Sequence, residues 1–452
     1  MDWNAVEESI EDDLKCSISS GTIESQRPRA GNSPGSGRLS TIFLIINAAL
    51  GAGLLNFPQA FDQAGGIVTA LAVQAVLLFW IVGGLLILAH CSDKAGALTL
   101  QDVLQAACGK TGLIVCSITI ALYCFGTCVT FLIIIGDQFD RVLLSVWGSD
   151  FCHHWYLNRS CTMTLSSIVF ILPLCYSKRI DFLRYVSSAG VLAVLYVVCL
   201  IAYKYWAGSF VPGPIKTAPS SWTDIFLVVP AICFGYQCHV SVIPIYSCLQ
   251  HRTLNNFTIV CIFAIVFCVA AYSAAGVCGY LTFGSYVESD ILESYSGENV
   301  FVLLGIGAIA IKTFTTYPLL LFCGREAMYT VFCELFSASQ TDIALTEFRR
   351  RCFIATWWFI LTLVVAVDSP DIGIVIDVLG SLAAVFIFVF PGICLLQSTL
   401  RSDPGLYLNK HRFLVLAAFA FIVVGTFIFG VVLTQAIERF GYSVKGTERL
   451  CK

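Results

Sequence analysis

Apolar residues follow one another along this chain in long runs, separated by short polar segments, from about residue 39 to residue 437. About 20 consecutive apolar residues are enough for a helix to cross a bilayer, and eleven runs approach that length. The predicted segments are Leu39–Phe61, Gly66–Cys91, Gly112–Ile135, Thr162–Tyr176, Tyr185–Trp206, Trp222–Leu249, Thr258–Phe283, Val300–Phe322, Phe353–Val367, Ile372–Leu396 and Phe413–Ile437. The pattern predicts an all-α, polytopic membrane protein with eleven transmembrane helices, of which the fourth and ninth are short.

The first segment is interrupted near its middle. It reads TIFLIINAALGAGLLNFPQAF, with Gly51, Ala52 and Gly53 at the interruption and Pro58 soon after it. A freed N–H or C=O group facing hydrocarbon costs several kcal/mol, so a broken helix persists at membrane depth only where protein or a cavity surrounds it. This segment is therefore a candidate binding element.

The sixth segment carries a second interruption, at Val229-Pro230, at Cys233-Phe-Gly-Tyr-Gln-Cys-His239 and at Pro244. If segments one to five and six to ten are inverted repeats, the two interruptions occupy corresponding positions, as at the midplane site of many secondary transporters. The alternative is that Gly and Pro are simply common in membrane helices, where Gly also allows close packing.

Unwound backbone suits a zwitterionic amino acid. Free N–H groups at the start of a half-helix favour a carboxylate, and unwound carbonyls favour a cation or an ammonium group. We expect Gly51, Ala52 and Gly53 to supply these contacts. Asn47, one turn earlier, offers a side-chain oxygen to the substrate or to a coupling cation; its alternative role is a hydrogen bond between helices.

The second interruption adds Phe234, Gly235 and His239 to the candidate substrate site. Because an unperturbed His titrates near neutrality, His239 is a candidate source of pH-dependent transport. A buried neutral His that only forms a hydrogen bond explains the residue equally well.

The eighth segment contains an ionisable residue, Lys312, followed by Thr315 and Thr316 on the same helix face. The threonine hydroxyls are candidate oxygen ligands for Na⁺, although Thr in a helix often bonds its own backbone. An ionisable residue inside a span suggests function. The Lys312 ammonium either occupies the cation position, which favours proton coupling, or reaches an aqueous vestibule.

Composition limits the other possibilities. The chain is 58% hydrophobic and 12% charged, with a mean hydropathy of +0.83, whereas soluble domains carry about 25% charged residues. A net charge of −3 without a basic stripe indicates no nucleic-acid partner, and the 21 cysteines show no metal-ligand spacing. We expect a lipid bilayer around the chain, no metal and no cofactor, with Na⁺ as the candidate coupling ion.

The ends of the chain are polar. Residues 1–38 are rich in Glu, Asp, Ser and Gly, which predicts a disordered cytosolic tail without a cleavable signal peptide, and this tail is a candidate docking arm for a cytosolic partner. Residues 39–437 form the predicted transporter domain. Residues 438–452 form a short non-cytosolic tail.

This orientation follows from Lys and Arg, which concentrate in the loops on the side of the N-terminal tail. The C-terminal tail is the exception, with Arg439, Lys445, Arg449 and Lys452. Asn158 begins an Asn-Arg-Ser glycosylation acceptor on the predicted non-cytosolic side. Cys152 and Cys161 flank it and are candidates for a disulfide; two free thiols are the alternative.

Three runs carry a family resemblance: Asn47 to Pro58, Cys233 to His239, and Gly279-Tyr-Leu-Thr-Phe-Gly284. They resemble the sodium-coupled neutral amino acid transporters, solute carrier family 38 of the amino acid/auxin permease group. The runs Phe131 to Gln138 and Phe386 to Gly392 are most similar to the branch that contains a lysosomal glutamine and asparagine transporter.

The resemblance covers about residues 39–437 and implies a LeuT-like 5+5 inverted repeat with broken first and sixth helices, plus one further helix. It implies alternating access for small neutral amino acids, above all glutamine and asparagine, in a lysosomal or plasma membrane. Asn47 matches the family's sodium-linked asparagine, and Thr315 or Thr316 matches its eighth-span threonine. Lys312 departs from the family pattern, which weakens the expectation of strict sodium dependence.

The favoured interpretation is a cation-coupled secondary transporter, with an amino-acid sensor of the same fold as the main alternative. A channel is disfavoured because the sequence shows no ring of charges and no repeated carbonyl filter motif. An enzyme is disfavoured because HExxH, a nucleophile elbow and an intramembrane carboxylate pair are missing from the sequence.

Overall fold

The computed structural model describes residues 36–148, 157–176, 181–208, 210–295, 299–336, 340–368, 371–405 and 409–443, and most of these residues are helical. The α-helices are α1 Arg38–Ala49, α2 Phe57–Gln63, α3 Ile67–Ala95, α4 Leu100–Trp147, α5 Arg159–Cys175 (which includes a π-turn), α6 Asp181–Ala207, α7 Val229–Gly235, α8 His239–Ser247, α9 Leu254–Phe283, α10 Val300–Phe336, α11 Gln340–Asp368, α12 Ile372–Ala384, α13 Phe390–Ser402 and α14 Asn409–Ser443. The 3-10 helices include Ala52–Asn56, Trp222–Val228 and Ile291–Ser294, and a π-turn, Val385–Val389, joins α12 to α13.

The helices are apolar and long enough for a multi-pass membrane protein. In the described ranges, nine helical segments qualify as spans by length and composition, and the bent pair formed by α1 and α2 is a tenth candidate. α5 is apolar but shorter than a normal span. The all-helical, multi-pass prediction is therefore confirmed, whereas the total of eleven spans stays a prediction.

The third segment differs in extent from its prediction. Hydropathy predicts Gly112–Ile135, but the helix runs from Leu100 to Trp147 and bends at Gly109, whose φ is +69°. Thr99 caps its start by accepting a hydrogen bond from the Asp102 N–H at 3.2 Å. Polar caps and charged turns extend a helix beyond its apolar stretch, so hydropathy alone underestimates its length.

The two interrupted segments lie inside the bundle. α9 packs against both α1 and α2, and α7 contacts the 3-10 turn that follows α1. α10 packs against α4 and α6, while α12 packs against α7 and α14. Tertiary packing therefore surrounds the interruptions with protein, the condition under which unwound backbone is tolerated at membrane depth.

Both ends of the first segment are fixed to other parts of the chain. At the N-terminal end, the Ser36 N–H donates to the Cys248 carbonyl at 2.8 Å, and the Gln250 N–H donates to the Ser36 carbonyl at 3.0 Å. At the far end, the Lys216 ammonium lies 2.8 Å from the Asp62 carboxylate. The two halves of the segment are thus tied to different partners.

Arg439, which departs from the predicted charge asymmetry, has a structural partner. Its guanidinium donates to the buried Asp377 carboxylate at 2.7 Å and to the Gln63 side-chain oxygen at 2.9 Å. The ion pair connects the end of α14 to α12, and the hydrogen bond to Gln63 connects it to α2. Arg439 therefore has a local carboxylate partner, and the predicted orientation stays a prediction.

The connection between α9 and α10 is held in place by a buried carboxyl group. The Asp290 side chain accepts hydrogen bonds from Gln138 at 2.9 Å and from the Leu292 N–H at 2.8 Å. The Ser289 carbonyl accepts a hydrogen bond from Asn56 at 3.1 Å. The connection thus covers the segment that follows the first interruption.

We expect this connection to be docked more stably at acidic pH. Burial raises the pKa of Asp290 to about 7 and that of Glu293 to about 8, with the neighbouring acidic groups Glu293 and Asp137 adding to the rise in each case and Arg141 opposing it. In the undocked loop these groups titrate near pH 4. The docked loop therefore binds protons that the undocked loop has lost, and docking weakens as pH rises from about 4 through 7 to 8.

Hydrogen–deuterium exchange over residues 287–295, corrected for the intrinsic effect of pH, measures this docking. Protection should fall between pH 5 and pH 8, and Asp290→Asn should make the fall smaller because the amide does not titrate, leaving the part due to Glu293. Asp224→Asn, in an exposed capping box elsewhere, is the control. Protection that stays constant in the unaltered protein would contradict this account of the loop.

Candidate functional site

The first interruption frees backbone groups between α1 and the following 3-10 turn. α1 ends at Ala49, Gly51 is extended with φ −119° and ψ −163°, and the 3-10 turn begins at Ala52. The two halves of the segment meet at a bend of 53°. The break therefore lies at the Gly-Ala-Gly run that the sequence singled out.

The second interruption lies between α7, which ends at Gly235, and α8, which begins at His239. It meets the first at a point of close contact. A Cβ atom added to Gly53 would lie 3.1 Å from Phe234 Cδ1 and 3.2 Å from Gly235 Cα. The structure thus brings these three predicted site residues together, and only a residue without a side chain fits at position 53 without displacement.

Tyr272 of α9 connects the two interruptions. Its hydroxyl lies 2.8 Å from the Ala49 carbonyl oxygen and 2.9 Å from the Gly235 carbonyl oxygen, and the Gly51 N–H approaches it from 3.5 Å. One carbonyl from each interrupted segment therefore faces a single point. Tyr272 was not recognised from the sequence, because one tyrosine in an apolar span carries no motif that distinguishes it.

Lys312 reaches the first interruption from α10. Its ammonium donates a hydrogen bond to the Leu50 carbonyl at 2.6 Å, and its stem packs so closely against Gly190 that a Cβ there would lie 2.8 Å from Lys312 Cγ. The side chain is buried. In this structure the ammonium lies beside the unwound Leu50 carbonyl, and its role as a built-in cation stays a prediction.

A small cavity lies beside this lysine. Its wall includes Gly51, Ala52, Lys312 and Thr313, and the remaining lining is apolar. Thr313, which lies next to Lys312 in the chain, was not among the residues predicted from the sequence; the two later threonines were. The Lys312 ammonium carries three N–H donors and has one identified acceptor. A polar group in this cavity could therefore accept a further hydrogen bond from it.

Thr315 and Thr316 bond their own helix in this structure. The Thr315 hydroxyl lies 3.0 Å from the carbonyl oxygens of both Ile311 and Lys312 and can donate to either, and the Thr316 hydroxyl donates to the Lys312 carbonyl at 2.7 Å. This is the backbone-bonding alternative considered for them. Their role as cation ligands stays a prediction.

Asn47 lies half-buried on the last turns of α1, two residues before the Ala49 carbonyl. His239 is fully buried at the start of α8, and its Nε2 atom lies 3.3 Å from the Ile81 carbonyl oxygen of α3. This position favours the hydrogen-bonding alternative for His239 over contact with a substrate.

We therefore expect His239→Gln to leave the pH dependence of uptake unchanged between pH 5 and 8, since a Gln amide can donate to the same carbonyl. The measurement is initial uptake at several pH values in both proteins. A flattened profile in the variant would return His239 to the group of pH-sensing residues.

Asn158 immediately precedes α5, with φ −62° and ψ 142°. Cys161 lies in that helix, but Cys152 lies outside the described residues, so their disulfide stays a prediction.

Comparison with known proteins decides the family. Residues 34–438 match the model of the family described as transmembrane amino acid transporter protein. The chain belongs to this family. Membership of a transporter family, together with the apolar helices, makes the chain a multi-pass membrane transporter and not an enzyme.

Within the family, the similarity extends over most of the chain. The sodium-coupled neutral amino acid transporter 7 of Danio rerio is 40% identical over 431 residues, which cover 93% of this chain and 92% of that protein. The human protein of the same name is 40% identical over 403 residues, covering 88% and 87%. Solute carrier family 38 member 8 of Mus musculus is 34% identical over 421 residues, covering 91% and 96%. The resemblance to solute carrier family 38 is confirmed.

Solved structures share the fold of this family member at low sequence identity. MhsT in complex with L-phenylalanine superposes with a TM-score of 0.53 at 13% identity, covering 89% of this chain and 100% of MhsT. The inward-facing conformation of Mhp1 gives a TM-score of 0.55 at 12% identity, covering 91% and 96%. The LeuT-like fold class is thereby supported, whereas the 5+5 inverted repeat stays a prediction.

Proposed function

We propose that this family member is a cation-coupled secondary transporter of small neutral L-amino acids that works by alternating access. The observation that supports it best is the convergence of the Ala49 and Gly235 carbonyls, from two interrupted helices, on one buried point. These carbonyls suit the α-ammonium group of an amino acid. The N–H groups that follow the first interruption, at Ala52 and Gly53, suit its α-carboxylate.

The coupling ion is Na⁺, H⁺ or both. The relatives described above are named sodium-coupled transporters, which supports Na⁺. Lys312 supports coupling to protons, because its ammonium already lies against the Leu50 carbonyl, where a cation would otherwise bind. A coupled charge is worth about 2.3 kcal/mol per 100 mV of membrane potential, so either ion can drive accumulation.

Glutamine and asparagine are the proposed substrates, and a lysosomal or plasma membrane is the proposed location. Both follow from the family branch to which the chain is similar. Glycosylation at Asn158 would place the start of α5 on the non-cytosolic side and so support the proposed orientation.

Uptake of labelled glutamine into proteoliposomes tests the proposal. We expect saturable uptake that shows counterflow and that depends on a Na⁺ gradient, a pH gradient or both. Uptake that rises linearly with concentration and shows no counterflow would indicate a channel. If the protein neither takes up nor binds any neutral amino acid, the proposed function is contradicted.

A second candidate is an amino-acid sensor that binds substrate with little flux. The observation that favours it is the backbone pairing of Ser36 with Cys248 and Gln250, which ties the segment after the N-terminal tail to the interrupted helices. Occupancy of the site would then alter how residues 1–35 are presented to a partner. Binding with micromolar substrate but no flux in the same proteoliposomes would favour the sensor.

A further inference from the structure

The phenol of Tyr272 is placed where a substrate ammonium is proposed to bind. Its oxygen contacts the Ala49 and Gly235 carbonyls, one from each interrupted segment, and the Gly51 N–H points to the same oxygen. The hydroxyl thus faces acceptors that suit an ammonium and a donor that suits a carboxylate. The hydroxyl therefore provides part of the hydrogen bonding that both breaks lack.

A hydroxyl meets these needs incompletely. A phenol carries one proton, so only one of the two carbonyls can accept it at a time. An ammonium group carries three protons and can donate to both carbonyls together. Charge-assisted hydrogen bonds are also stronger than neutral ones. Substrate binding therefore improves the pairing of carbonyls that the empty protein already holds in position.

The ring of Tyr272 is held by one residue that follows the first break and one that lies within the second. It stacks on Phe57 with a centroid distance of 4.3 Å and an interplanar angle of 22°, and it lies 4.9 Å from the ring of Tyr236. All three side chains are fully buried. The hydroxyl is therefore aimed by packing that does not depend on its own hydrogen bonds.

We propose that Tyr272 is a positioning residue whose hydroxyl takes the place of the substrate ammonium in the empty site and is displaced from the carbonyls when the amino acid binds. This inference rests on the proposed function, since it assumes an amino acid as ligand. The hydroxyl competes with the ammonium, so it weakens binding and speeds release. It also supplies a donor to one of the two buried carbonyls at a time, and leaving such a group without a donor is costly.

Tyr272→Phe tests the proposal because it removes the hydroxyl and keeps the ring. Loss of one neutral hydrogen bond, with a net worth of about 0.5–1.5 kcal/mol, predicts glutamine binding about two- to tenfold tighter, with slower exchange in proteoliposomes. Tyr236→Phe is the matched control: that ring is equally buried, but its hydroxyl accepts a hydrogen bond from Gln74 at 2.7 Å and contacts neither carbonyl.

The probe that separates competition from a structural role is glutaramic acid, which is glutamine without its α-amino group. Tyr272→Phe should tighten binding of glutamine but not of this analogue, because only the ammonium competes for the carbonyls. Weaker or unchanged glutamine binding in Tyr272→Phe, or an equal gain for both ligands, would overturn the proposal.

Binding is measured in nanodiscs by thermal stabilisation, independently of flux. A protein that binds glutamine but does not transport it would contradict the transport proposal alone, and the comparison of the two ligands would still decide the role of Tyr272. Two accompanying results support the proposal. Without ligand, the melting temperature of Tyr272→Phe should be lower than that of Tyr236→Phe. On adding glutamine, it should rise more in Tyr272→Phe than in Tyr236→Phe.

Discussion

Gly53→Leu is expected to abolish amino acid binding while the protein still inserts into the membrane. Any side chain at position 53 meets Phe234 and the Gly235 backbone at 3.1–3.2 Å from its first atom. Backbone cannot move aside as a flexible side chain can, so a larger residue must push the two interrupted segments apart. The carbonyls of Ala49 and Gly235 then no longer face a common point.

A graded series makes this prediction sharper. Gly53→Ala adds a single carbon, and overpacking of this kind costs about 1–3 kcal/mol, so we expect binding to weaken about tenfold and not to vanish. Gly307→Leu is the matched control, because Gly307 lies exposed on α10 and a Cβ there meets nothing within 4 Å. Full binding in Gly53→Leu would show that the meeting point of the two breaks is not the substrate site.

Lys312→Met is expected to make transport more dependent on Na⁺. Methionine keeps most of the stem volume beside Gly190 but removes the ammonium from the Leu50 carbonyl. Since the lysine pairs with a neutral carbonyl, its removal strands no opposite charge. The carbonyl and the adjoining cavity are then open to a cation, and we expect the stimulation of uptake by Na⁺ to rise several-fold.

The comparison is made by exchanging Na⁺ for choline at fixed pH, with and without a pH gradient. The pH-driven component of uptake should fall in Lys312→Met. Lys94→Met, at an exposed lysine near the end of α3, controls for the loss of one positive charge. If Lys312→Met shows the same response to Na⁺ and to pH as the unaltered protein, Lys312 does not act as a built-in cation.

The features that the sequence predicted are those with a strong local signal. Gly51 and Gly53 mark the first break because their lack of side chains is visible in an otherwise apolar run, and the structure breaks there. Lys312 stands out because a charge inside a span is rare. The sequence also indicated carbonyls without helical partners at the break, but that Leu50 supplies the acceptor for Lys312 is known only from the structure.

The features that the sequence did not predict depend on how helices rotate and pack. Tyr272 is 221 residues from Gly51 in the chain, and nothing in its own span indicates that its hydroxyl faces both breaks. Thr313, and not Thr315 or Thr316, lines the cavity because the rotation of α10 is set by its contacts with α4 and α6. Helix ends such as those of α4 depend on caps that hydropathy does not register.

An experimental structure of the protein in lipid nanodiscs with bound L-glutamine tests the central claim most directly. We expect the α-carboxylate at the N–H groups of Ala52 and Gly53, and the α-ammonium between the carbonyls of Ala49 and Gly235, with the Tyr272 hydroxyl displaced. Glutamine bound away from both interruptions, or both segments continuous as helices with no site between them, would contradict the account.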